Sequence, residues 1–250
     1  MVHGEKVTAT GAWRIRPEKF GRFRYNLDTK FADGLVKLVG EGGNMLDVGA
    51  GGGRYVSYLR SRNVRAEGVD GVPGIHNMTQ GLVEQRELTK PFVPCREYRF
   101  VTCLEVGEHI PWKRQHVFLS NLNCSTHATN GTLILSWAPP GQFGSGHINN
   151  RLARELHWAL TANHSCDGTR NFSGCALHAP RPGFGFRYDQ TATKLLRWQT
   201  ELNYMRTNLM VFRRRPRRSD GTFSPRESTP ATGDTEKYWQ RIRAGREPAP

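Results

Sequence analysis

The chain has 250 residues, a net charge of +14 at pH 7 and 37% hydrophobic residues, enough for one α/β domain with its own core. No segment approaches the ~20 consecutive apolar residues of a transmembrane helix, and residues 1–6 lack the apolar core of a signal peptide. We therefore expect a cytoplasmic protein without a transmembrane segment. The alternative is the lumen of the secretory pathway, if the true N-terminus is missing.

The first predicted elements precede a glycine-rich stretch. Residues 1–25 are polar with scattered aromatic side chains, and we expect an N-terminal extension that lies on the domain. From 26 to 39 apolar residues recur at helical spacing, and Gly40 ends the predicted helix. The apolar run at 45–48 then predicts a buried strand.

Three glycines at alternate positions follow this strand, in the sequence Asp-Val-Gly-Ala-Gly-Gly-Gly from Asp47. Glycine permits positive φ and lets a ligand lie against bare backbone, and a helix start behind the loop aims free N–H groups at it. A ligand-free turn is the alternative. Arg54 stands where a dinucleotide fingerprint needs a small residue. The pattern resembles motif I of class I S-adenosylmethionine (SAM)-dependent methyltransferases. That resemblance implies cofactor contacts from Asp47, Gly49, Ala50, Gly51 and Gly53.

A second acid ends the next predicted strand, at 64–70. Asp70 lies 23 residues after Asp47, which fits one βαβ crossover. A carboxylate at this position can accept both ribose hydroxyls of an adenosine. The alternative is a helix N-cap, because Gly71-Val72-Pro73 follows. With motif I present, we favour the ribose role for Asp70, beside Gly71.

A short helix at 75–83 and a short third strand at 88–92 are predicted next. The methyltransferase resemblance implies that an acid or polar group near this point meets the adenine amino group. Glu87 is the nearest acid.

The apolar strand predicted at 100–104 ends in Glu105, Glu108 and His109. Open α/β sheets bind ligands at the carboxyl ends of their strands, so three polar groups there indicate a site. The stretch resembles motif IV of the same methyltransferases, in a form common among those acting on small molecules. The resemblance implies that Glu105 contacts the cofactor.

The remaining elements complete an alternating pattern. A helix at 113–122 and a strand at 131–137 lead into a Gly- and Pro-rich loop at 138–150, which contains His147 and would lie over the cofactor's methyl group. Helices at 151–161 and 188–202 and a strand at 204–213 follow. This order predicts an α/β fold with a doubly wound, mainly parallel sheet. The resemblance adds a C-terminal antiparallel strand, as in the Rossmann-like methyltransferase fold.

The domain boundaries follow from composition. We expect one SAM-dependent methyltransferase domain over residues 26–213. Residues 214–250 are basic and rich in Pro, Arg, Ser and Thr, which predicts a disordered tail.

Two chemistries fit the polar cluster. In one, His109 or His147 is a general base that Glu108 orients. In the other, a divalent metal is bound by Glu105, Glu108, His109 and His147. Related arrangements occur in quinone-biosynthesis O-methyltransferases and in small-RNA 2′-O-methyltransferases. The plainer alternative has no metal: Glu105 contacts cofactor, Glu108 caps a turn and His109 packs on the cofactor.

The five cysteines include no Cys-x-x-Cys pair, which argues against a zinc site built on cysteines. Cys103 lies in an apolar run and is predicted to be core. Cys166 and Cys175 flank a polar loop and would pair in an oxidising compartment. More N-x-S/T sequons occur than chance would give, at Asn77, Asn123, Asn130, Asn163 and Asn171. In a cytoplasmic chain we expect the cysteines to be reduced and the asparagines to carry no glycan.

The sequence thus predicts a SAM-dependent methyltransferase acting on an oxygen or nitrogen of a small molecule. One alternative is an RNA 2′-O-methyltransferase with a Glu/Glu/His/His metal site, for which the basic surface would attract nucleic acid. The other is a catalytically inactive SAM-binding protein. The intact glycines, Asp47 and Asp70 argue against the inactive protein.

Overall fold

A computed structural model describes residues 7–15, 27–161 and 184–216. Its strands are β1 Asn44–Val48, β2 Arg65–Asp70, β3 Val83–Gln85, β4 Phe100–Leu104, β5 Thr132–Ser136, β6 Phe186–Tyr188 and β7 Met210–Arg214. Its helices are α1 Thr29–Val39, α2 Arg54–Arg60, α3 Ile75–Met78, α4 Gln115–Ser125, α5 Ala153–Thr161, α6 Gln190–Gln199 and α7 Asn203–Asn208. Two 3₁₀ turns, Gly107–His109 and Trp112–Arg114, follow β4.

The strands form one seven-stranded sheet in the order β3-β2-β1-β4-β5-β7-β6. Strands β1 to β5 run parallel, whereas β7 lies antiparallel to both β5 and β6. The chain moves outward from β1 through β2 to β3 and then crosses back to β4, so the switch point lies between β1 and β4. Ligands of open α/β sheets bind outside the carboxyl ends of the strands at such a point. The predicted fold class is confirmed.

Both faces of the sheet are covered by helices, which explains why its strands are apolar at consecutive positions. Neighbouring residues of a strand point to opposite faces. Leu46 and Cys103 therefore pack in one cluster with α4 and α5, and Met45 packs in the other with α1, α2 and α6. Cys103 is fully buried, as predicted.

Asp28 ties the first helix to the end of the domain. Its Oδ1 accepts the N–H of Phe31 at 2.9 Å and so caps α1. Its Oδ2 accepts the Thr200 hydroxyl and the Glu201 N–H, each at 2.6 Å. One buried carboxylate thus connects two segments more than 170 residues apart.

Two predicted strands are wrong. The third strand is β3, at Val83–Gln85, and not 88–92. Leu88 and Phe92 are buried in the core without joining the sheet, and Pro91 between them has no N–H for a strand ladder. The strand predicted at 204–213 begins only at Met210, because Asn203–Asn208 forms α7.

A disulfide joins Cys95, in the segment before β4, to Cys124 near the end of α4, with 6.1 Å between their Cα atoms. The pairing expected for Cys166 and Cys175 lies outside the described residues, as does nearly all of the tail. Of the N-terminal extension, residues 7–15 are described, with Val7 bridged to Trp13. Within the ranges given above, no helix is long and apolar enough to cross a membrane.

Candidate active site

The loop after β1 is held against β2 by its own backbone. The N–H groups of Gly49 and Ala50 both donate to the carbonyl of Val69, at 2.8 and 3.1 Å. Gly49 has φ +81°, and a Cβ there would lie 2.3 Å from Cγ2 of Val106. Position 49 therefore requires glycine for both conformation and space.

The two glycines that follow also have positive φ, +52° at Gly51 and +71° at Gly53. Gly53 is the N-cap of α2, and its N–H donates to the carbonyl of Ala50 at 2.9 Å. A Cβ on Gly53 would lie 2.8 Å from Leu82. The alternating glycines thus make a tight turn from strand to helix, and the N–H groups of Gly49, Ala50, Gly51 and Gly53 hold it in place.

Asp47 is buried behind this loop. Its Oδ1 accepts the Thr102 hydroxyl at 2.8 Å. Burial raises the pKa of Asp47 to about 6, although the Thr102 hydrogen bond acts in the opposite direction. Asp47 therefore joins β1 to β4 below the loop.

Asp70, at the end of β2, is oriented by two backbone donors. Its Oδ2 accepts the N–H of Gly51 at 2.8 Å, and its Oδ1 accepts the N–H of Val72 at 2.9 Å. Burial raises the pKa of Asp70 above its ordinary value, although hydrogen bonds from Val72, Gly51 and Gly71 lower it. Each oxygen retains a lone pair for a further donor.

A cleft that is open to solvent lies between Asp70 and the end of β4. Gly49, Asp70 and Gly71 line one side, and Glu105 and His109 line another.

The N-terminal segment, residues 10–13, forms a further wall of this cleft. Trp13 packs edge-on against His109, with 5.5 Å between ring centroids. The Thr10 hydroxyl donates to Oε2 of Glu87 at 2.8 Å, and Thr89 donates to Oε1 of the same carboxylate. Residues 7–15 of the predicted extension lie on the domain, but nothing in the sequence beyond its aromatic residues indicates that they border the cleft.

Glu105 takes an unusual backbone conformation at the end of β4. Its φ is +53°, which is uncommon for a residue with a Cβ and often marks a functional position. The Ser136 hydroxyl accepts its N–H at 2.9 Å, and Gln142 Nε2 donates to its Oε2 at 2.7 Å. Its Oε1 is buried and has no hydrogen-bond partner in the described part of the chain.

Gln142 and α7 are parts of the site that sequence reasoning missed. Gln142 Oε1 accepts Asn208 Nδ2 at 2.7 Å, which connects α7 to Glu105. Burial, and then the charges of Glu105, Asp28 and Glu108, raise the pKa of Tyr204, so this side of α7 faces the carboxylates. No local pattern in 203–208 signals this, because the contacts span more than 60 residues.

Three of the four predicted metal ligands lie together. One ligand atom each from Glu108, His109 and His147 can be chosen such that all lie within 4.8 Å of one another. Glu105 is not a member of this set. The loop carrying His147 is fixed there because the N–H groups of Ile148 and Asn149 both donate to the Glu108 carbonyl at 2.9 Å.

The Glu108 side chain is fully buried. Neither carboxylate oxygen makes a hydrogen bond of ordinary geometry with a residue that the structure describes, although the Ala138 backbone and the Glu105 carboxyl lie near enough to influence its pKa. Burial, followed by the neighbouring Glu105, raises the pKa of Glu108 well above its usual range. A buried carboxyl without donors is unfavourable unless something else compensates for it.

Both histidine rings are oriented by backbone carbonyls. His109 Nδ1 lies 3.1 Å from the Gly146 oxygen, and His147 Nδ1 lies 3.1 Å from the Gln142 oxygen. A carbonyl only accepts, so each Nδ1 carries a hydrogen, and in a neutral ring the lone pair is then on Nε2. Burial lowers the pKa of His109 to about 4, and its ring is therefore neutral at pH 7.

Glu108 does not orient a histidine base by a hydrogen bond, contrary to the prediction. Its Oε1 lies 3.9 Å from Nε2 of His147, beyond hydrogen-bonding distance, and the carbonyls perform that function instead. One carboxylate and two imidazole lone pairs are ligands suited to a divalent first-row transition metal.

A glycine-rich loop and an acid at the switch point of a mainly parallel sheet define a Rossmann-like cofactor-binding enzyme. The chain matches the model of the methyltransferase domain family over residues 23–172, and it belongs to that family. The resemblance seen in the two sequence motifs is thereby confirmed.

Over 92 residues the chain is 30% identical to the ubiquinone biosynthesis O-methyltransferase of Paraburkholderia phytofirmans. The aligned region covers 33% of this chain and 39% of that relative. Among solved structures, the chain is similar to magnesium protoporphyrin IX methyltransferase of Synechocystis PCC 6803 with bound SAH, at 17% sequence identity and a TM-score of 0.50. The similarity covers 75% of this chain and 81% of that chain. It is also similar to a TehB-like SAM-dependent methyltransferase of Corynebacterium glutamicum, at 12% identity, with a TM-score of 0.50 and 79% and 92% coverage. These structural similarities establish the fold.

Proposed function

We propose that this protein is a SAM-dependent methyltransferase that methylates an oxygen or nitrogen atom of a small molecule. The observation that carries the proposal is one shared cleft. The loop from Gly49 and Asp70 border it on one side, and Glu105 and His109 border it on the other. A cofactor held by the first pair would place its reactive end beside the second. The relative from Paraburkholderia, an O-methyltransferase by name, agrees with an oxygen acceptor.

The residues present fit SAM, which when bound supplies the electrophilic methyl carbon. Asp70 retains acceptor capacity for the ribose hydroxyls, while its bonds to Gly51 and Val72 fix its orientation. Gly49 lines the cleft beside Asp70 and offers a wall without a side chain. Oε1 of Glu105, for which the described residues offer no hydrogen-bond donor, is suited to accept a hydrogen bond from the ammonium group of the methionine moiety.

The residues also fit a divalent transition metal held by Glu108, His109 and His147. The metal would compensate for the buried Glu108 carboxylate and use the two Nε2 lone pairs that the carbonyls leave available. When bound, it supplies Lewis-acid stabilisation of the deprotonated acceptor. In its absence the neutral His109 ring can accept the acceptor's proton at Nε2.

The loop at 138–150 favours a small acceptor with an apolar part. Phe143 is 99% exposed and Ile148 is 59% exposed, and both lie close in sequence to His147. Exposed apolar side chains next to a catalytic histidine are suited to contact an organic acceptor. Trp13 and His109 line the cleft, and His109 contacts this loop at Gly146.

Calorimetric titration with SAM, NAD and ATP tests the cofactor assignment. We expect selective micromolar binding of SAM. The SAM-loaded protein is then screened with small phenols and amines, with short RNA as the competing acceptor class. Absence of SAM binding would overturn the proposal, and methylation of RNA alone would replace the small-molecule acceptor with the RNA alternative.

A further inference from the structure

The disulfide and the sequons are features that methyl transfer does not require. The chain has 13 Asn, and 30 of its 250 residues are Ser or Thr, so about one or two sequons are expected by chance, whereas five are present. Cys95 and Cys124 are paired, and Cys103, the other cysteine among the described residues, is fully buried in the core. Disulfides persist in secretory compartments, which are also where N-glycans are attached.

The structure discriminates among the three sequon asparagines that it describes. Asn130 is exposed in the turn between α4 and β5, and Asn77 is exposed on α3. Asn123 is different, because it is partly buried and its Oδ1 accepts Nη1 of Arg214 at 2.7 Å. A glycan on Asn123 would have to be accommodated around this contact.

The position of Asn130 also leaves the cleft open. Asn130 precedes β5 and therefore lies at the amino-terminal edge of the parallel strands, whereas the cleft lies at their carboxyl ends. The disulfide is at the same amino-terminal edge, between the segment before β4 and the end of α4. A glycan at Asn130 is thus compatible with an accessible active site.

We infer that this protein is made in an oxidising secretory compartment, where it acquires the Cys95–Cys124 disulfide and N-linked glycans at Asn77 and Asn130 but not at Asn123. In each glycosylation, Asn Nδ2 loses a proton and bonds to C1 of an oligosaccharide, while the bond from C1 to a lipid-linked diphosphate breaks and the diphosphate leaves with the electron pair. In the oxidation, the two thiols lose two protons and two electrons to the disulfide of a thiol oxidoreductase, which becomes a dithiol.

Peptide mapping of the full-length protein from its native cells tests both modifications. Free thiols are alkylated before denaturation, and glycans are removed enzymatically in H₂¹⁸O, which converts each glycosylated Asn into ¹⁸O-labelled Asp. We expect label at Asn77 and Asn130, none at Asn123, and a cross-linked Cys95–Cys124 peptide. Unlabelled Asn77 and Asn130 together with alkylated Cys95 and Cys124 would overturn the inference.

Variants of the full chain, expressed in the secretory pathway of eukaryotic cells, test the choice of sites. Asn77→Gln and Asn130→Gln should each remove the mass of one glycan, and the double variant should remove two. Asn123→Gln is the matched control and should leave the mass of the glycoprotein unchanged. Loss of a glycan in Asn123→Gln, or none in Asn130→Gln, would contradict the assignment.

Discussion

The backbone N–H of Gly51 donates a hydrogen bond of 2.8 Å to Oδ2 of Asp70. This bond joins the glycine loop after β1 to the acid that ends β2, two features that the sequence suggests separately. Since Oδ1 of Asp70 accepts from Val72, the carboxylate is fixed at both oxygens. Asp70 therefore shapes the loop as well as offering acceptors to a ligand.

Asp70→Ala should lower SAM affinity. The substitution removes the proposed ribose acceptor and the partner of Gly51, and hydrogen bonds to a charged group contribute about 1.5–3 kcal/mol each. We expect the Kd to rise roughly 10- to 100-fold. Calorimetry measures this, with Asp33→Ala, an exposed acid on α1, as the control. An unchanged Kd in Asp70→Ala would remove the ribose assignment.

Gly49→Ala should weaken SAM binding far more than Gly40→Ala. Both glycines have positive φ, +81° and +78°, so both substitutions strain the backbone, and Gly40, with ψ 160°, lies in a region that is essentially restricted to glycine. Only the Cβ at position 49 meets a neighbour, Val106 at 2.3 Å, whereas position 40 has open space. We expect Gly49→Ala to lose SAM binding and Gly40→Ala to retain it. Equal binding by the two variants would show that the loop is not the cofactor site.

Glu108→Gln should remove a bound metal without removing SAM. The amide is a poorer ligand than a carboxylate, whereas the ribose contacts at Asp70 are unaffected. Elemental analysis of the purified protein is expected to give about one transition metal per chain, and well below that in Glu108→Gln. His76→Ala, which alters an exposed histidine on α3, is the control. If the wild type keeps full activity after chelation has removed its metal, the result would favour the histidine-base mechanism.

Asp28 should make stability fall in acid. Burial raises its pKa, but hydrogen bonds from Thr200, Phe31, Glu201 and Leu202 together outweigh burial and lower the pKa below the ordinary value. A depressed pKa in the folded state gives stabilisation that is fully present above the unfolded pKa of about 3.9 and is lost as pH falls through the folded pKa.

Asp28→Asn should therefore lower the free energy of unfolding at pH 7 by about 2 kcal/mol, since the charged acceptor is replaced by a neutral amide. Below pH 4 the difference from wild type should shrink. Denaturant titrations at pH 7 and pH 3 measure both values. A difference that is constant between the two pH values would show that the charge of Asp28 is not responsible.

Gln142→Ala should lower kcat with little change in the Kd of SAM. The Gln142 side chain hydrogen-bonds to Glu105 and Asn208. Its backbone carbonyl orients His147, and that contact remains when only the side chain is replaced. Loss of the side-chain bridge should allow Glu105 to shift beside the reactive end of the cofactor. We expect roughly a 10-fold loss of kcat, given that small misplacements in active sites have effects of this order or larger. Steady-state kinetics with a fixed acceptor test it, and Gln85→Ala on the exposed end of β3 is the control.

The sequence predicts well what is local. The glycine loop requires particular residues at particular positions, and β4 has the predicted bounds because its apolar run ends at charged side chains. The error at 88–92 arises because Leu88 and Phe92 have the apolarity of a strand without its hydrogen bonds. Only the pairing of β3 with β2 decides between these segments.

Contacts between distant residues are what the sequence could not supply. Thr10 meets Glu87 across 77 residues, and Asn208 reaches Gln142 across 66. Neither pair has a motif, because any donor and acceptor of suitable size satisfy such a contact. The Cys95–Cys124 disulfide could not be predicted either, since the positions of five cysteines in the sequence do not show which two the fold brings together.

The N-terminal wall has a kinetic consequence. Trp13 packs on His109, and a Cβ on Gly11 would lie 2.1 Å from the His109 carbonyl, so the segment sits directly against the side of the cleft where we propose that methyl transfer occurs. Cofactor exchange through that side requires these contacts to separate. We expect an ordered sequence in which SAM enters first and the demethylated cofactor leaves last, with its release limiting turnover. Shortening the chain to begin after Trp13 should then speed cofactor exchange while weakening its retention.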